Sequence, residues 1–561
     1  MTAEAGAPLR SAPLPAIPLR RRIYGFGSIY GKTVRDSRLA FIIAAGLLGG
    51  MALVMGVAVS SVFPTPEARQ AVDDLVGSIP ASMVDLFGKV PPEKLGTLGG
   101  YMTFKYGAIF ALGTALWSIL ALSGTLAGEA RRGSLDLVAA APFGKRRIAL
   151  EKLAAHLTML GLAMAVLAVL TSVSSALFGN AALGDQVPLL SSVGFALWAG
   201  FLASFFGGLA FALAPVLGRA GSAGVAGLLM IVLWVMNGLD LGGPLVVLSP
   251  FRWTADHIAL IGQYDWAPLA LVGVAGAVFL AVGVELFRRR DLGVTAGLSL
   301  PGVPAAVLGV GGPVGRAFGD QLPRALSWGI GLGLVGALVA SLVGTMSAAL
   351  GNDSTLVNTF KGIFPGFDLK SAGGWLQLYA ELLFIAVGFA ATTFVSKWAS
   401  DETEGRLEML LATPMARARW VIAGGIGAIL AIAVTTVLFA VGIGLGAASG
   451  GVAAGDPMIG SAALGIYAAA IVGVGFAIGG LWRTSLAAEI AALVVVATYL
   501  VDLVAPPLKL PDWVHQLALT AHMGQPMIGT WDAAGVVACL VIAIGGVGLG
   551  AWGMSRRDVG R

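Results

Sequence analysis

Residues 39–62 read LAFIIAAGLLGGMALVMGVAVSSV, a continuous apolar run without a single charged side chain. A helix needs about 20 apolar residues to cross the ~30 Å hydrocarbon layer of a bilayer. Comparable runs recur along the whole chain. We predict twelve membrane spans, near 39–62, 101–124, 152–178, 191–215, 221–240, 266–286, 325–348, 376–397, 420–447, 460–480, 485–504 and 532–553. They form two groups of six on either side of a polar stretch that contains Gly and Pro, 288–323.

The composition agrees with this pattern. Of 561 residues, 57% are hydrophobic and 12% are charged, whereas soluble proteins have about 45–50% and about 25%. So few charged side chains exclude a set of soluble domains, and so many apolar ones exclude a disordered chain. Glycine is abundant at 81 residues, and small residues let membrane helices approach closely. The predicted fold is an all-α polytopic membrane bundle with tight packing.

Orientation follows from the positions of lysine and arginine, which accumulate in cytoplasmic loops. The basic clusters flank every second loop, at Arg131, Arg132, Lys145, Arg146, Arg147, Arg288, Arg289, Arg290, Arg417, Arg419, Arg556 and Arg557. Both termini are therefore predicted to be cytoplasmic. Within the basic N-terminal segment, residues 20–36 combine charges with aromatic residues and predict an interfacial helix before the first span. The basic residues that set the orientation also account for the net charge of +5. This charge therefore does not indicate a nucleic-acid partner, and none is expected.

An internal repeat is clearest in a short loop. The stretch GSLDLVAAAPFGKRR at 133–147 aligns without a gap with GRLEMLLATPMARAR at 405–419, and an acid precedes each copy, Glu129 and Asp401. The segments RRDLG at 289–293 and RRDVG at 556–560 also correspond. Because each half has an even number of spans, the two six-helix repeats are predicted to be parallel.

The repeated loop has the pattern of a short amphipathic helix. Leu407, Leu410 and Leu411 fall on one helical face, and Pro414 is predicted to end the helix. Leu135, Val138, Ala139 and Pro142 give the same arrangement in the first half. Two interpretations remain open at this point: a pair of docking surfaces for cytoplasmic partners, or turns held only by the charges that set orientation.

The pattern E-x-x-x-G-x-L-[DE]-x-L-x-x-x-P-x-x-[RK], placed after the second span of a six-span unit, resembles the permease subunits of ABC-2 type exporters. The fused tandem form is similar to actinobacterial multidrug and tetronasin-type exporter permeases. The resemblance implies that each repeated loop is a coupling helix that docks on an ATP-binding subunit. The residues it implicates are Glu129, Gly133, Leu135, Asp136, Pro142, Asp401, Glu402, Gly405, Leu407, Glu408 and Pro414.

The two copies differ in charge. The first reads Glu129-Ala-Arg-Arg-Gly133 and the second reads Asp401-Glu-Thr-Glu-Gly405, so equal coupling through both is in doubt. The resemblance further implies two copies of an ATP-binding cassette subunit, with ATP and Mg bound there and no cofactor in this chain. It places the protein in a bacterial plasma membrane.

A few polar residues lie inside the predicted spans, where an ionisable group costs about 2.5–3.5 kcal/mol on insertion scales. The resemblance implies that spans two, five, eight and eleven border the substrate pathway. The pathway candidates are Glu381, Tyr379, Asn237, Asp240 and Asp502. Glu381 has an alternative role in an interhelical hydrogen bond or in a pair with Lys105.

These observations divide the chain into a cytoplasmic segment 1–38, a first repeat 39–287, a cytoplasmic linker 288–323 and a second repeat 324–561. The expected function is ATP-driven export of hydrophobic or amphipathic compounds such as drugs or antibiotics. An ion-coupled secondary transporter is the alternative, although such proteins place acids at mid-membrane in both halves. A membrane-embedded enzyme would need a catalytic constellation, and the sequence shows none.

Reporter fusions test the predicted orientation. Alkaline phosphatase, which is active only outside the cytoplasm, should be inactive when fused after residue 561 and active when inserted in the first loop, 63–100. The physical reason is the excess of lysine and arginine in the loops on the side of the termini. The reverse pattern of activity would contradict the orientation.

Overall fold

A computed structural model describes residues 27–70, 90–126, 144–238, 243–289, 312–350, 371–504 and 511–557. Within these ranges, twelve helices are long and apolar enough to cross a membrane, which confirms the predicted number. They are α1 Ile29–Val62, α2 Leu98–Thr125, α3 Lys145–Phe178, α4 Leu189–Arg219, α5 Gly221–Gly238, α6 Trp266–Arg289, α7 Gly312–Leu350, α8 Ala372–Thr403, α9 Arg417–Ser449, α10 Ala462–Leu481, α11 Thr484–Val504 and α12 Ala533–Arg556.

Short elements occupy the connections between these helices. The α-helical turns are Pro250–Trp253, Arg406–Leu411, Gly455–Gly460 and Asp512–His515. The 3-10 turns are Pro92–Lys94, Ala181–Leu183, Gly243–Leu248, Ala259–Ile261, Thr520–His522 and Pro526–Ile528. Gly524–Gln525 pairs antiparallel with Thr530–Trp531. The fold of the described residues is therefore α-helical apart from this small ribbon.

Two helices extend beyond the predicted spans. The described part of the expected interfacial helix over 20–36 is not a separate element, because α1 runs without a break from Ile29 to Val62. Likewise α7 begins at Gly312, inside the stretch predicted as a linker, and continues past Pro323. In both cases polar residues outside the apolar run continue the same helix, which hydropathy alone does not detect.

The boundary between α4 and α5 depends on one glycine. Gly218 has φ 70° and ψ −179°, and it interrupts a segment that is otherwise helical from Leu189 to Gly238. A side chain strongly disfavours positive φ, so glycine is the residue that permits this reversal. The two predicted spans, 191–215 and 221–240, are separated at this kink.

Within each half, the helices pack on one another in the same order. In the first half α1 packs on α3, α2 on α4, and α4 on α6. In the second half α7 packs on α9, α8 on α10, and α10 on α12. Each contact in one half thus has a counterpart six spans later.

Glycines allow the closest of these approaches. A Cβ atom on Gly442 of α9 would lie 2.0 Å from the carbonyl oxygen of Gly333 in α7. A Cβ on Gly480 of α10 would lie 2.1 Å from the carbonyl oxygen of Gly550 in α12. Since hydrocarbon gives no hydrophobic drive between helices, such backbone contact supplies much of the attraction. The high glycine content therefore serves packing, as the composition predicts.

Each half also has its own apolar core. In the second half, the main cluster of buried apolar residues extends from Ala325 to Met554. In the first half, the main cluster extends from Ala45 to Val272. Leu500 of α11 packs against the core of the first half. Leu500 is thus a point of contact between the two halves.

A buried ion pair closes one end of the first half. Arg69, which follows α1, donates to both carboxylate oxygens of Asp185, at 2.5 and 2.7 Å, and the two side chains are 7% and 1% exposed. Asp185 also accepts from the backbone N–H groups of Leu98 and Asn180, at 2.8 and 2.9 Å. A single carboxylate therefore joins the ends of α1, α2 and α3.

Substitution Asp185→Ala should be strongly destabilising, because it leaves Arg69 buried without its counter-charge. The expected loss is about 3–5 kcal/mol of unfolding free energy, measured as a fall in the thermal midpoint of the detergent-solubilised protein. Asp456→Ala is the matched control, since Asp456 is exposed in the α9–α10 connection and should change stability by less than about 0.5 kcal/mol. Equal midpoints for the two variants would contradict this role.

Candidate docking segment and interhelical polar cluster

The repeated loop of the second half forms a compact segment between α8 and α9, residues 401–416, here called the α8–α9 segment. Helix α8 ends at Thr403, and Gly405 follows with φ 74°. This left-handed conformation is typical of glycine at a helix C-terminus. It turns the chain into the short helix Arg406–Leu411, which ends three residues before Pro414.

One side of this short helix faces the bundle. Leu407 is 1% exposed, and Leu410, Leu411 and Met415 pack against the core of the second half. The opposite side is open: Glu408 is exposed, and Met409 is 68% exposed. The helix thus presents an acid and a large apolar side chain away from the protein.

Asp401 and Glu402, which sequence reasoning assigned to docking, both bond within the chain. Arg406 Nε donates to Asp401 Oδ1 at 3.1 Å, and Arg316 Nη2 lies 3.9 Å from Asp401 Oδ2. Burial disfavours the charged form of Arg406, but the carboxylates of Asp401 and Glu404 raise its pKa. The guanidinium therefore stays charged and holds the start of the short helix to the end of α8.

Glu402 is bound still more firmly. Arg557 Nη2, just past α12, donates to both carboxylate oxygens of Glu402, at 2.7 and 2.5 Å. Thr484 Oγ1, at the start of α11, donates to Glu402 Oε2 at 2.7 Å. The sequence does not predict that Arg557 pairs with Glu402, although the RRD motif that contains Arg557 belongs to the repeat.

A cavity of about 240 Å³ lies beneath the α8–α9 segment, bounded by the start of α7, the end of α8 and the start of α9. Its lining includes Lys397, Trp398, Leu410 and Trp420. The rings of Trp398 and Trp420 are stacked, with centroids 4.9 Å apart. The cavity thus lies between the end of the short helix and this aromatic pair.

The pathway candidates form a second site, at the other end of α8. Gln377 Nε2 donates to Glu381 Oε1 at 3.0 Å, and Gln377 Oε1 accepts from the backbone N–H of Met527 at 3.1 Å. Asp502 accepts from Thr520 Oγ1 at 2.8 Å. Met527 and Thr520 belong to the connection after α11, so Gln377 and Asp502 are bonded to this end of the bundle, and Glu381 lies one helical turn further into α8.

The same region of α11 adjoins the first half. Helices α8 and α11 pack on each other and carry Glu381, Tyr499 and Asp502. Leu500 of α11 packs against the core of the first half, which includes Tyr106 of α2, and Lys105 Nζ lies 5.3 Å from the centroid of the Tyr106 ring. We call Glu381, Asp502, Tyr499, Tyr106 and Lys105 the polar cluster; its members lie on α2, α8 and α11, three of the four spans expected to border the pathway.

The remaining candidates are less informative. Tyr379 is half-buried in α8. Asn237 is half-buried near the end of α5, and its Oδ1 has no donor within the part of the chain that the structure describes. Six further candidates lie outside the described residues: Glu129, Gly133, Leu135, Asp136, Pro142 and Asp240.

A bundle of twelve apolar helices with charged segments at its ends defines a polytopic membrane protein. Residues 310–554 match the family model of the C-terminal domain of the multidrug efflux system permease Rv1217c. The chain is also 27% identical, over 329 residues, to the multidrug efflux system permease protein Rv1217c of Mycobacterium tuberculosis (strain ATCC 25618 / H37Rv). That match covers 56% of this chain and 58% of the relative, so the chain spans less than two thirds of the relative's length.

The comparisons confirm the resemblance to exporter permeases that the repeated loop indicated. The matched region, 310–554, contains the whole α8–α9 segment and the acidic members of the polar cluster. Together with the twelve apolar helices, the match identifies a multi-pass protein of a bacterial plasma membrane. Both matched proteins are described as permeases of a multidrug efflux system.

Proposed function

We propose that this chain is the transmembrane subunit of an ATP-driven ABC exporter, carrying both halves of the pathway. The observation that carries the proposal is the α8–α9 helix, which buries Leu407 and leaves Glu408 and Met409 exposed. An exposed apolar side chain beside an acid, on a helix fastened to the ends of the spans, fits a docking surface for a partner. In this proposal 401–419 and its repeat at 129–147 are coupling helices.

The similar order of helix contacts in the two halves supports two parallel six-helix repeats. The distribution of lysine and arginine supports the cytoplasmic position of both termini. Two copies of an ATP-binding cassette subunit would dock on the two coupling helices, and ATP and Mg would bind in those subunits. Closure of the subunits would move the coupling helices and rock one half against the other. A partner with different affinities for the two conformations can drive such a change.

The polar cluster is the proposed part of the substrate pathway. Its members lie on α2, α8 and α11, and Leu500 of α11 packs against the core of the first half, so a change in the position of the halves would alter it. Its carboxylates suit a positively charged group, and its aromatic rings suit the apolar body of an amphipathic compound. The proposed substrates are hydrophobic or amphipathic small molecules such as drugs or antibiotics.

Substitution Met409→Lys tests the docking surface. It places a strongly hydrated charge at the centre of the proposed contact, so binding of the ATP-binding subunit should weaken about 10- to 30-fold, equivalent to about 1.4–2 kcal/mol. Binding is measured by co-purification and by titration in detergent. Leu517→Lys is the matched control, because Leu517 is 62% exposed at the opposite end of the bundle, and it should leave binding unchanged.

The same experiment separates the exporter from an ion-coupled secondary transporter. If the unmodified chain binds no ATP-binding subunit, and transport in vesicles is lost when an ionophore collapses the ion gradient, the secondary transporter is correct. Transport that requires ATP and survives collapse of the gradient supports the exporter.

Substitution Glu381→Gln tests the pathway. Removal of the negative charge should lower efflux of a cationic amphipath about tenfold, equivalent to about 1.4 kcal/mol, and leave efflux of a neutral amphipath of similar size unchanged. Efflux is measured with fluorescent substrates in vesicles. Glu489→Gln, which alters an exposed acid of α11, is the control. An equal loss for cationic and neutral substrates would show that Glu381 has a structural role only.

A further inference from the structure

The ion pair between Glu402 and Arg557 joins residues 155 positions apart, and it is largely shielded from solvent. The side chains of Arg557 and Glu402 are 17% and 9% exposed. Solvent screens such a pair less than it screens an exposed one, and removal of one partner leaves the other charge without compensation. The two side chains therefore hold the end of α8 and the end of α12 in a fixed relation.

Other helix ends are fastened to the same pair. Arg557 Nη1 donates to the carbonyl oxygens of Gly479 and Trp482, at 3.1 and 2.8 Å, at the end of α10. The carbonyl oxygen of Arg557 accepts from Arg417 Nη1 at 2.6 Å, at the start of α9. With Thr484 of α11 on Glu402, five consecutive spanning helices meet at one ion pair.

This junction lies next to the proposed coupling helix. Gly405 follows Glu402 by three residues, and the short helix begins at Arg406. The short helix is joined to the end of α8 through Gly405 and through the bond from Arg406 to Asp401. The end of α8 in turn contacts the ends of α10, α11 and α12 through Glu402 and Arg557.

The first repeat lacks one member of the pair. In the alignment of Glu129-Ala-Arg-Arg-Gly133 with Asp401-Glu-Thr-Glu-Gly405, alanine 130 stands at the position of Glu402. Alanine has no carboxylate, so the first repeat cannot form this ion pair with the arginine of its own RRD motif. The two repeats therefore differ in sequence at the position that forms this ion pair in the second half.

We propose that Glu402 and Arg557 are positioning residues that transmit movement of the second coupling helix to α10–α12. This inference rests on the proposed function, because it requires an ATP-binding subunit that moves the coupling helix.

The test compares Glu402→Gln, Arg557→Gln and the exchanged pair Glu402→Arg with Arg557→Glu. Asp320→Asn is the matched control, since it removes an acid from an exposed pair with Arg316, 4.0 Å apart and 42% exposed on both sides, at the same end of the bundle. Each variant is purified with its ATP-binding subunit, and transport and ATP hydrolysis are measured in the same vesicles. Hydrogen exchange of the amides in 401–416 and 479–486 is measured on the permease alone.

The single variants should continue to hydrolyse ATP but transport at least about fivefold less substrate per ATP, and exchange should increase in both amide segments. The exchanged pair should recover most of the transport per ATP, and Asp320→Asn should match the unmodified protein. Faster exchange with unchanged transport per ATP would overturn the proposal, because the pair would then be structural only. Unchanged exchange in the single variants would also overturn it.

A different result would show that the proposed function itself is wrong. The unmodified permease would then bind no ATP-binding subunit, whatever the variants do. The proposed transmission then has no source of movement and is refuted with it, while the exchange data still decide whether the pair fixes the helix ends.

Discussion

Hydrocarbon offers no partner for a backbone N–H or C=O group, so every span of this chain must satisfy those groups within its own helix. The consequence is twelve helices, with the irregular backbone of the described residues confined to their ends and to the break at Gly218. The same solvent gives apolar helices no reason to prefer each other over lipid, and association depends on close contact and polar ties. The glycine contacts between α7 and α9 and between α10 and α12 meet that requirement.

The same constraint decides how the scarce charges are used. At one end of the bundle Asp185 joins α1, α2 and α3 through Arg69. At the other end Glu402 joins α8, α11 and the end of α12. Asp185 is buried and Glu402 is partly buried, and each accepts hydrogen bonds from two or more chain segments, so they hold helix ends together. Each end of the bundle is thus braced by an ion pair between segments distant in the chain.

This arrangement suits a protein moved by a partner. The α8–α9 helix is exposed on its outer side and lies above a cavity, whereas the end of α8 is fastened to its neighbours. At the opposite end, the polar cluster has members on α2, α8 and α11, and Leu500 of α11 packs against the core of the first half. In the proposed exporter, the ATP-binding subunit moves the α8–α9 helix, and the spanning helices transmit this movement to the polar cluster.

Local sequence patterns determined the number of spans, the dense packing and the inward face of Leu407, Leu410 and Leu411, because these depend on hydrophobicity and on a period of 3.6 residues. They also indicated the family. Only the tertiary structure decided that Asp401 and Glu402 bond within the chain, that Glu381 lies toward the connection after α11, and that Arg69 meets Asp185. Such contacts join residues up to 155 positions apart, and no local period records which distant side chain a charge will meet once the helices have packed.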